Sequence, residues 1–296
     1  MSRELTVVLD GYTFLESPRW WDGRLWASDF YSNRVIATDG RGSTEVMAEV
    51  ANQPSGMGRL PDGRKIIVSM RDHRLLRREP GGELVEHADL SGLATGVLND
   101  MVVDAAGRAY VGNFGFDLMA GAPMRAASLL RVDPDGTASV AAEDLLFPNG
   151  SVIIDELLVV AESFGNRLTA FDIAADGTLS GRRAWATFGE PPVTDDLTAA
   201  LPALTVAPDG MCADAEGAVW VADALHNRVL RVREGGEIVE EVSTGDLGTY
   251  ACMLGGEDGR TLFLCSAPSF LEHERRAARE AQLLSCRVEV PHSGLP

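Results

Sequence analysis

Short runs of apolar residues alternate along the chain with turns rich in glycine and aspartate. Six runs each follow such a turn: GRLWASD, GRKIIVSM, GRAYVGN, ELLVVAES, GAVWVAD and GRTLFLCS. Runs of this length between Gly and Asp turn residues are typical of β-strands. Few long windows show the periodicity of an amphipathic helix, so the pattern predicts an all-β protein.

The turns recur at a nearly regular interval. Their glycines lie at positions 23, 63, 107, 217 and 259, and a turn without glycine at 154–156 fills the gap in the series. The interval of about 40–60 residues is close to the repeat length of propeller blades. Six units fill the chain, so we predict a six-bladed β-propeller with four-stranded blades around a central channel.

We expect residues 1–296 to form a single propeller domain, in which the N-terminal run at 4–10 is the outer strand of the last blade, beside residues 283–290. Two segments exceed the repeat. Residues 189–207 indicate a loop, either a lid over one face or a plain surface excursion. Residues 270–282 are rich in helix formers and charge, which indicates a short exposed helix or turn with a solvated His273.

Equivalent positions can be compared between blades. The chain starts each innermost strand about eight residues before the turn glycine, and these six starts surround one mouth of the channel. The position is occupied by Glu16, Ser55, Asn99, Asn149, Asp209 and Ala251. We therefore predict that the side chains of Glu16, Asn99, Asn149 and Asp209 converge at the channel mouth.

Two carboxylates and two amide carbonyls around one axis form a candidate site for a divalent cation. The two negative charges match a 2+ ion, and without an ion the buried carboxylates repel each other. Oxygen ligands favour Ca²⁺, Mg²⁺ or Mn²⁺ over a zinc site built from His and Cys, and no histidine falls at this register. Simple turn formation is the alternative for each residue, and repetition at one register disfavours it.

Other motifs are weaker. AESFG at 161–165 lacks the first glycine of a nucleophile elbow, so we interpret Ser163 as a strand-end residue. The tryptophans are interpreted as packing residues, although Trp20 and Trp21 follow Glu16 closely enough for one of them to line the pocket. Cysteines at 212, 252, 265 and 286 form no CxxC pair, which indicates reduced core thiols.

Charge and hydropathy narrow the possible partners. The chain has 26 basic and 44 acidic residues, a net charge of −18, which disfavours a nucleic-acid partner. No apolar run is long enough for a membrane helix, and the N-terminus lacks the pattern of a signal peptide. We therefore expect a cytoplasmic protein that acts on a small molecule and binds neither nucleic acid nor membrane.

At these residues the sequence resembles the senescence marker protein, gluconolactonase and luciferin-regenerating enzyme family. The resemblance covers about residues 14–290, and its matching segments are LESPRW, LND, FPNG and PDGMCADAEGAVWVAD. It implies a six-bladed propeller with one divalent metal at the channel mouth, Ca²⁺ first and Zn²⁺, Mg²⁺ or Mn²⁺ as alternatives. It also implies that Glu16, Asn149 and Asp209 are direct ligands, that Asn99 is a fourth ligand or a substrate contact, and that Asp209 is the general base.

The sequence departs from the family at one substrate position. Sugar-lactone members carry an arginine two residues before the Asn of the ND motif, where this chain has Val97. Valine donates no hydrogen bond, so the substrate is expected to have fewer hydroxyl groups than gluconolactone. Phe114, Phe116 and Met119 fit an apolar ligand or the blade core, and Asp117 is a further candidate for substrate binding.

These observations favour a metal-dependent hydrolase of a cyclic ester, a lactonase. The metal would polarise the lactone carbonyl, Asp209 would take a proton from water, and Asn99 would orient the substrate. Two alternatives remain open. One is another esterase, a phosphotriesterase, or an isomerase or cyclase on the same scaffold, and the other is a non-catalytic propeller that binds calcium or a small ligand.

Overall fold

The computed structural model describes residues 3–294, whose strands form six four-stranded antiparallel sheets. The sheets are the blades of a β-propeller, which confirms the predicted fold and blade number. The innermost strands contact one another in a closed ring, so the first blade meets the sixth as well as the second.

Each blade runs from an inner strand at the channel to an outer strand at the rim. The inner strands are β2 (Leu15–Trp21), β6 (Pro54–Arg59), β10 (Leu98–Val103), β14 (Pro148–Ile154), β18 (Pro208–Ala213) and β22 (Gly248–Gly255). The second strands are β3 (Arg24–Asp29), β7 (Lys65–Ser69), β11 (Ala109–Asn113), β15 (Leu157–Glu162), β19 (Val219–Asp223) and β23 (Thr261–Ala267). The third strands are β4 (Arg34–Thr38), β8 (Arg74–Arg78), β12 (Ala127–Val132), β16 (Arg167–Ile173), β20 (Arg228–Val232) and β24 (Ala281–Arg287). The outer strands are β5 (Thr44–Glu49), β9 (Leu84–Asp89), β13 (Ala138–Leu145), β17 (Leu179–Thr187), β21 (Ile238–Ser243) and β1 (Thr6–Tyr12).

The sixth blade combines the two ends of the chain. Strand β1 pairs antiparallel with β24, with Thr6 opposite Ser285 and Leu9 opposite Leu283. The blade that contains the last three strands of the chain is therefore completed by the first strand.

The two α-helices among residues 3–294 lie in the two insertions. Helix α1 (Leu197–Ala200) continues into a 3-10 turn over Leu201–Ala203, and helix α2 (Glu272–Ala278) precedes β24. The side chain of His273 in α2 is 78% exposed, but Arg275 in the same helix is buried, so α2 is packed more closely than the sequence suggests. No helix among residues 3–294 is long and apolar enough to cross a membrane.

Each inner strand contains a register irregularity near its start. In β14, Pro148 pairs with Glu162 and Ser151 with Val160, which leaves Asn149 and Gly150 in a bulge. The other five inner strands have the same one-residue shift. A bulge turns a side chain away from the regular alternation of the strand, and here it lies at the predicted site position or directly after it.

Glycine after the site residue allows neighbouring inner strands to approach closely. A Cβ atom added to Gly150 would lie 2.4 Å from the carbonyl oxygen of Asp209, and one on Gly210 would lie 2.5 Å from Cβ of Ala251. The Pro-x-Gly motifs at 148–150 and 208–210 therefore reflect backbone packing around the channel as well as turn formation.

The strand pairing corrects one expected position. Gly248 pairs with Ala267 in the sixth blade as Pro208 pairs with Asp223 in the fifth, so Thr249 is the equivalent of Asp209, and Ala251 is not. Counting from the turn glycine fails here because β22 and β23 are each two residues longer than β18 and β19.

Three blades share a buried acidic residue at the end of the second strand. Asp29, Glu162 and Asp223 are fully buried, and each pairs with the arginine five residues later, at the start of the third strand. Each also accepts a backbone N–H from just before the inner strand, donated by Phe14, Leu146 and Ala207, respectively. These are the blades that carry Glu16, Asn149 and Asp209, so the start of each of those inner strands is tied to its own blade.

We predict that Glu162→Gln destabilises the protein by about 1–3 kcal/mol at pH 7, because it weakens buried charged hydrogen bonds. Burial raises the pKa of Glu162, but hydrogen bonds from Arg167, Leu146 and Thr169 outweigh it and hold the pKa below its usual value of 4.5. A depressed pKa stabilises the folded state above the unfolded pKa and loses that effect as the pH falls through the folded pKa.

The difference in unfolding free energy between wild type and variant should therefore shrink below about pH 4. Urea titrations at pH 7 and at acidic pH measure it. The exposed Glu234→Gln serves as the matched control and should leave stability unchanged. Equal stability of wild type and Glu162→Gln at pH 7 would contradict the assigned role.

Candidate metal centre and active site

A cavity of about 360 Å³ opens at one mouth of the channel. The predicted residues Glu16, Asn99, Asn149 and Asp209 all line it, and all four are buried. They come from the first, third, fourth and fifth blades, each from the bulged start of an inner strand. The structure thus brings the four side chains to one cavity.

A chain of hydrogen bonds connects polar side chains across the blades. Ser163 donates its hydroxyl proton to the carbonyl oxygen of Pro208 at 2.8 Å and accepts from Nδ2 of Asn149 at 3.0 Å. Oδ1 of Asn149 accepts from Nδ2 of Asn99 at 2.7 Å, and Oδ1 of Asn99 accepts from the hydroxyl of Ser55 at 3.2 Å.

This chain has a fixed direction. Because the proton of Ser163 is committed to Pro208, only an amide N–H of Asn149 can satisfy the remaining contact, and the carbonyl oxygen of Asn149 must face away from Ser163. The strand-end residue Ser163 therefore orients the Asn149 side chain, a role that its sequence context does not reveal.

The two predicted carboxylates lie in an unfavourable environment for negative charge. Burial raises the pKa of Glu16 to about 8, with a further increase from the charge of Asp100, against which a hydrogen bond from the N–H of Ser17 acts. Burial and repulsion from Glu16 raise the pKa of Asp209 well above its usual value. Both carboxyl groups therefore lack a positive partner strong enough to compensate their burial.

A buried ion pair lies beside these carboxylates. The guanidinium of Arg19, only 2% exposed, binds Oδ1 of Asp100 at 2.7 Å. Its remaining donors reach the carbonyl oxygens of Pro18, Met57 and Met101. One arginine in the first blade thus connects the inner strands of the first three blades. The sequence did not single out Arg19, because an arginine between proline and tryptophan in a strand gives no sign of burial.

The buried charges at the channel mouth do not balance. Three carboxylates, from Glu16, Asp100 and Asp209, face one guanidinium, from Arg19, which leaves two negative charges when all four are ionised. A divalent cation has the charge to neutralise them. The donor set of carboxylate and amide oxygens suits a hard cation such as Ca²⁺. No group of three or more His, Cys, Asp or Glu within residues 3–294 could hold a metal, so a cation here also needs the amide oxygens of Asn99 and Asn149.

The remaining predicted substrate contacts also line the cavity. Val97 is half-buried in its wall, Phe116 is buried there, and Asp117 is exposed at the rim, where it accepts the N–H of Ala120. Phe114 and Met119 complete this group.

The two tryptophans that follow Glu16 do not line the cavity. Trp20 stacks on Phe263, and Trp21 packs edge-on against Trp26.

The four cysteines are free and buried. Burial raises the pKa of Cys252 and Cys265 well above the usual value and that of Cys286 to about 11, which opposes reaction as thiolates.

The 189–207 segment contributes to the cavity wall through Leu197 and Leu201. It is tied down by Asn166, whose amide nitrogen donates to the carbonyl oxygens of Glu190 and Ala203 and whose Oδ1 accepts the N–H groups of Thr205 and Val206. The segment therefore forms part of the cavity wall and is not a plain surface excursion. Sequence composition alone did not distinguish a surface excursion from a lid.

We predict that Arg19→Met destabilises the protein by about 3–5 kcal/mol, because it leaves Asp100 charged and unpaired in a buried site. The double variant Arg19→Met/Asp100→Leu should recover a large part of this loss, since it removes the uncompensated charge. Urea unfolding of the three proteins measures the effect. A double variant no more stable than Arg19→Met would contradict the ion-pair explanation.

Comparisons with known proteins show the family and the fold of the chain. The sequence model described as the SMP-30/gluconolactonase/LRE-like region matches residues 14–268. A regucalcin from Danio rerio is 27% identical over 207 residues, which cover 67% of this chain and 62% of the relative. A 6-deoxy-6-sulfogluconolactonase from Pseudomonas putida is 26% identical over 207 residues, which cover 67% of this chain and 64% of the relative.

The matched segment spans less than two thirds of the length of both curated relatives. Among solved structures, a calcium-binding protein, regucalcin from Agrobacterium tumefaciens, superposes with a TM-score of 0.80 over 100% of this chain and 97% of the other, at 20% identity. At that identity the superposition supports the fold alone, whereas the sequence model covers most of the chain. The chain therefore belongs to the SMP-30/gluconolactonase/LRE-like family.

Proposed function

We propose that this protein is a divalent-cation-dependent lactonase, a hydrolase of cyclic esters. The observation that carries the proposal is the pair of buried carboxyl groups, Glu16 and Asp209, that lie without a compensating cation beside two amide oxygens in a cavity large enough for a small molecule. Membership of a family named for gluconolactonase and similarity to a sulfogluconolactonase support lactone hydrolysis. The calcium-binding regucalcin structure supports Ca²⁺ as the first candidate ion.

Glu16, Asn149 and Asp209 would hold the cation, with Asn99 as a fourth ligand or a substrate contact. A bound divalent cation supplies a Lewis acid that polarises an ester carbonyl and stabilises the negative charge that develops on it. Ser163 contributes by holding the Asn149 carbonyl in one orientation. Residues that hydrogen-bond to metal ligands commonly increase the affinity for the metal by fixing the orientation of those ligands.

The protein's own residues then perform the proton transfers. Asp209 would accept a proton from the water that attacks the lactone carbonyl carbon. The bond between the carbonyl carbon and the ring oxygen breaks, and the ring oxygen takes up the proton as a hydroxyl group. The product is an open-chain hydroxy acid. Asn99, directed by Ser55 and Asn149, orients the substrate oxygen.

We further propose that the substrate carries fewer hydroxyl groups than gluconolactone. Val97 lies on the cavity wall, and the family resemblance implies an arginine at this position in sugar-lactone members. A hydroxyl group pressed against valine loses its hydrogen bond to water and gains none, which costs about 1–3 kcal/mol. The site therefore disfavours a polyhydroxylated ring.

We predict that Asp209→Ala weakens divalent-cation binding by at least about 100-fold. This loss is as large as or larger than the loss that follows when a residue that only supports a metal ligand is replaced. The change removes one ligand and one of the two uncompensated charges. Calorimetric titration with Ca²⁺, Mn²⁺ and Zn²⁺ measures it, and the exposed Asp246→Ala is the matched control. Unchanged binding by Asp209→Ala would contradict the ligand assignment. Intact cation binding by the wild type, with no turnover of lactones, aryl esters or phosphotriesters, would instead indicate a non-catalytic binding protein.

We predict that the wild type hydrolyses a simple or aryl-substituted γ- or δ-lactone at least tenfold faster than gluconolactone, as kcat/KM with saturating cation. Val97→Arg should narrow this difference, because its guanidinium restores hydrogen-bond donors worth about 1 kcal/mol each. A tenfold or greater preference of the wild type for gluconolactone would show that another residue does the work of the missing arginine.

A further inference from the structure

The cavity wall differs between its two sides. On the side of the first, second and sixth blades it contains Tyr31 and Tyr250 and an ion pair at the rim, in which Arg71 donates to Glu272 at 2.5 Å. Arg71 is the only Lys or Arg among the residues that line the cavity, and it also donates to Gln53. Its charge is therefore matched within the protein, so the described residues that line the cavity offer no unpaired cationic side chain for an anionic substrate.

The opposite side is an apolar arm with one charged residue, the exposed Asp117, at its rim. We define it by six side chains without any hydrogen-bonding group, which are Phe114, Phe116, Phe147, Phe164, Leu197 and Leu201. Together with neighbouring residues they form a hydrophobic cluster separate from the main blade core.

Four of these side chains form a continuous aromatic surface. The ring centroids of Phe114 and Phe147 are 4.3 Å apart, those of Phe147 and Phe164 are 5.5 Å apart, and those of Phe164 and Phe116 are 5.9 Å apart. Phe147 lies two residues before Asn149, and Phe164 directly follows Ser163. The aromatic surface therefore begins beside the polar floor of the cavity, which is formed by Glu16, Asn99, Asn149, Ser163 and Asp209. A molecule whose ester reaches that floor would extend along the rings.

The other two side chains come from the long insertion. Leu197 starts helix α1, whose N-terminus is capped by Asp196 accepting the N–H of Thr198, and Leu201 begins the 3-10 turn. The N–H of Met124 donates to the carbonyl oxygen of Asp195 at 2.7 Å, which ties the insertion to the loop of the third blade. The backbone thus holds both half-buried leucines against the cavity.

We propose that the apolar arm binds a hydrophobic substituent on the lactone ring and that Leu197 and Leu201 determine this specificity. The substrate class is a neutral γ- or δ-lactone that carries an alkyl chain or an aryl group. This inference rests on the proposed lactonase activity for its position relative to the ester. Apolar contact area in the arm strengthens binding, whereas a hydroxyl or charged substituent there would be buried without a partner.

The test is a chain-length series of γ-lactones from γ-butyrolactone through γ-hexalactone and γ-octalactone to γ-decalactone. With wild type and saturating Ca²⁺, kcat/KM should increase roughly fourfold for each methylene that the arm accommodates. Calorimetric binding of the same lactones to cation-free protein should follow the same order, and this readout does not depend on turnover.

Leu201→Asn should reduce the ratio of kcat/KM for γ-decalactone to that for γ-butyrolactone at least tenfold, and Leu197→Asn should act in the same direction. Val193→Asn is the control, because Val193 lies in the same insertion but is fully exposed, and its ratio should match the wild type. Circular dichroism checks that each variant is folded.

The outcomes separate this inference from the proposed function. Hydrolysis of all four lactones with no dependence on chain length would overturn the apolar arm and leave the lactonase proposal intact. Tighter binding of the longer lactones without any hydrolysis would support the arm and overturn the lactonase proposal. If the dependence of kcat/KM on chain length is the same in the wild type and in both leucine variants, the assignment of Leu197 and Leu201 is wrong.

Discussion

Six inner strands converge on one axis, and this convergence determines what the rest of the molecule can do. Side chains at one register of β2, β6, β10, β14, β18 and β22 share a small volume, because the strand starts surround the same channel mouth. Negative charges placed there cannot separate, and burial removes most of the water that would screen them. The raised pKa values of Glu16 and Asp209 are the direct result. A site of this kind is neutralised either by protons on its carboxyl groups or by a cation from outside the chain.

Much of this arrangement follows from repetition in the sequence. Turn spacing predicted the blades, and comparison of the turns identified Glu16, Asn99, Asn149 and Asp209, which the structure brings to one cavity. The method failed in the sixth blade, where longer strands move the equivalent position from Ala251 to Thr249. A count along the chain assumes hairpins of equal length, and only strand pairing reveals where they differ.

Contacts between distant segments could not be predicted. Burial of Arg19 depends on three blades meeting around its guanidinium, and the role of Ser163 depends on Pro208 lying within hydrogen-bond distance. Likewise, the composition of 189–207 says that the segment is a loop but not that Asn166 ties it over the cavity. Such residues are defined by their neighbours in space, which a single sequence does not record.

Closure of the ring by β1 and β24 has a consequence for folding. Glu16 follows the first strand of the chain, whereas Asp209 lies in the fifth blade, so the two carboxylates meet only when the circle of inner strands is complete. A ligand that binds the folded state alone stabilises it in proportion to its concentration and affinity. A cation bound between these residues would therefore link the first blade to the fifth across the channel and help to keep the ring closed. Its removal would weaken closure of the ring, whereas each sheet would keep the hydrogen bonds between its own strands.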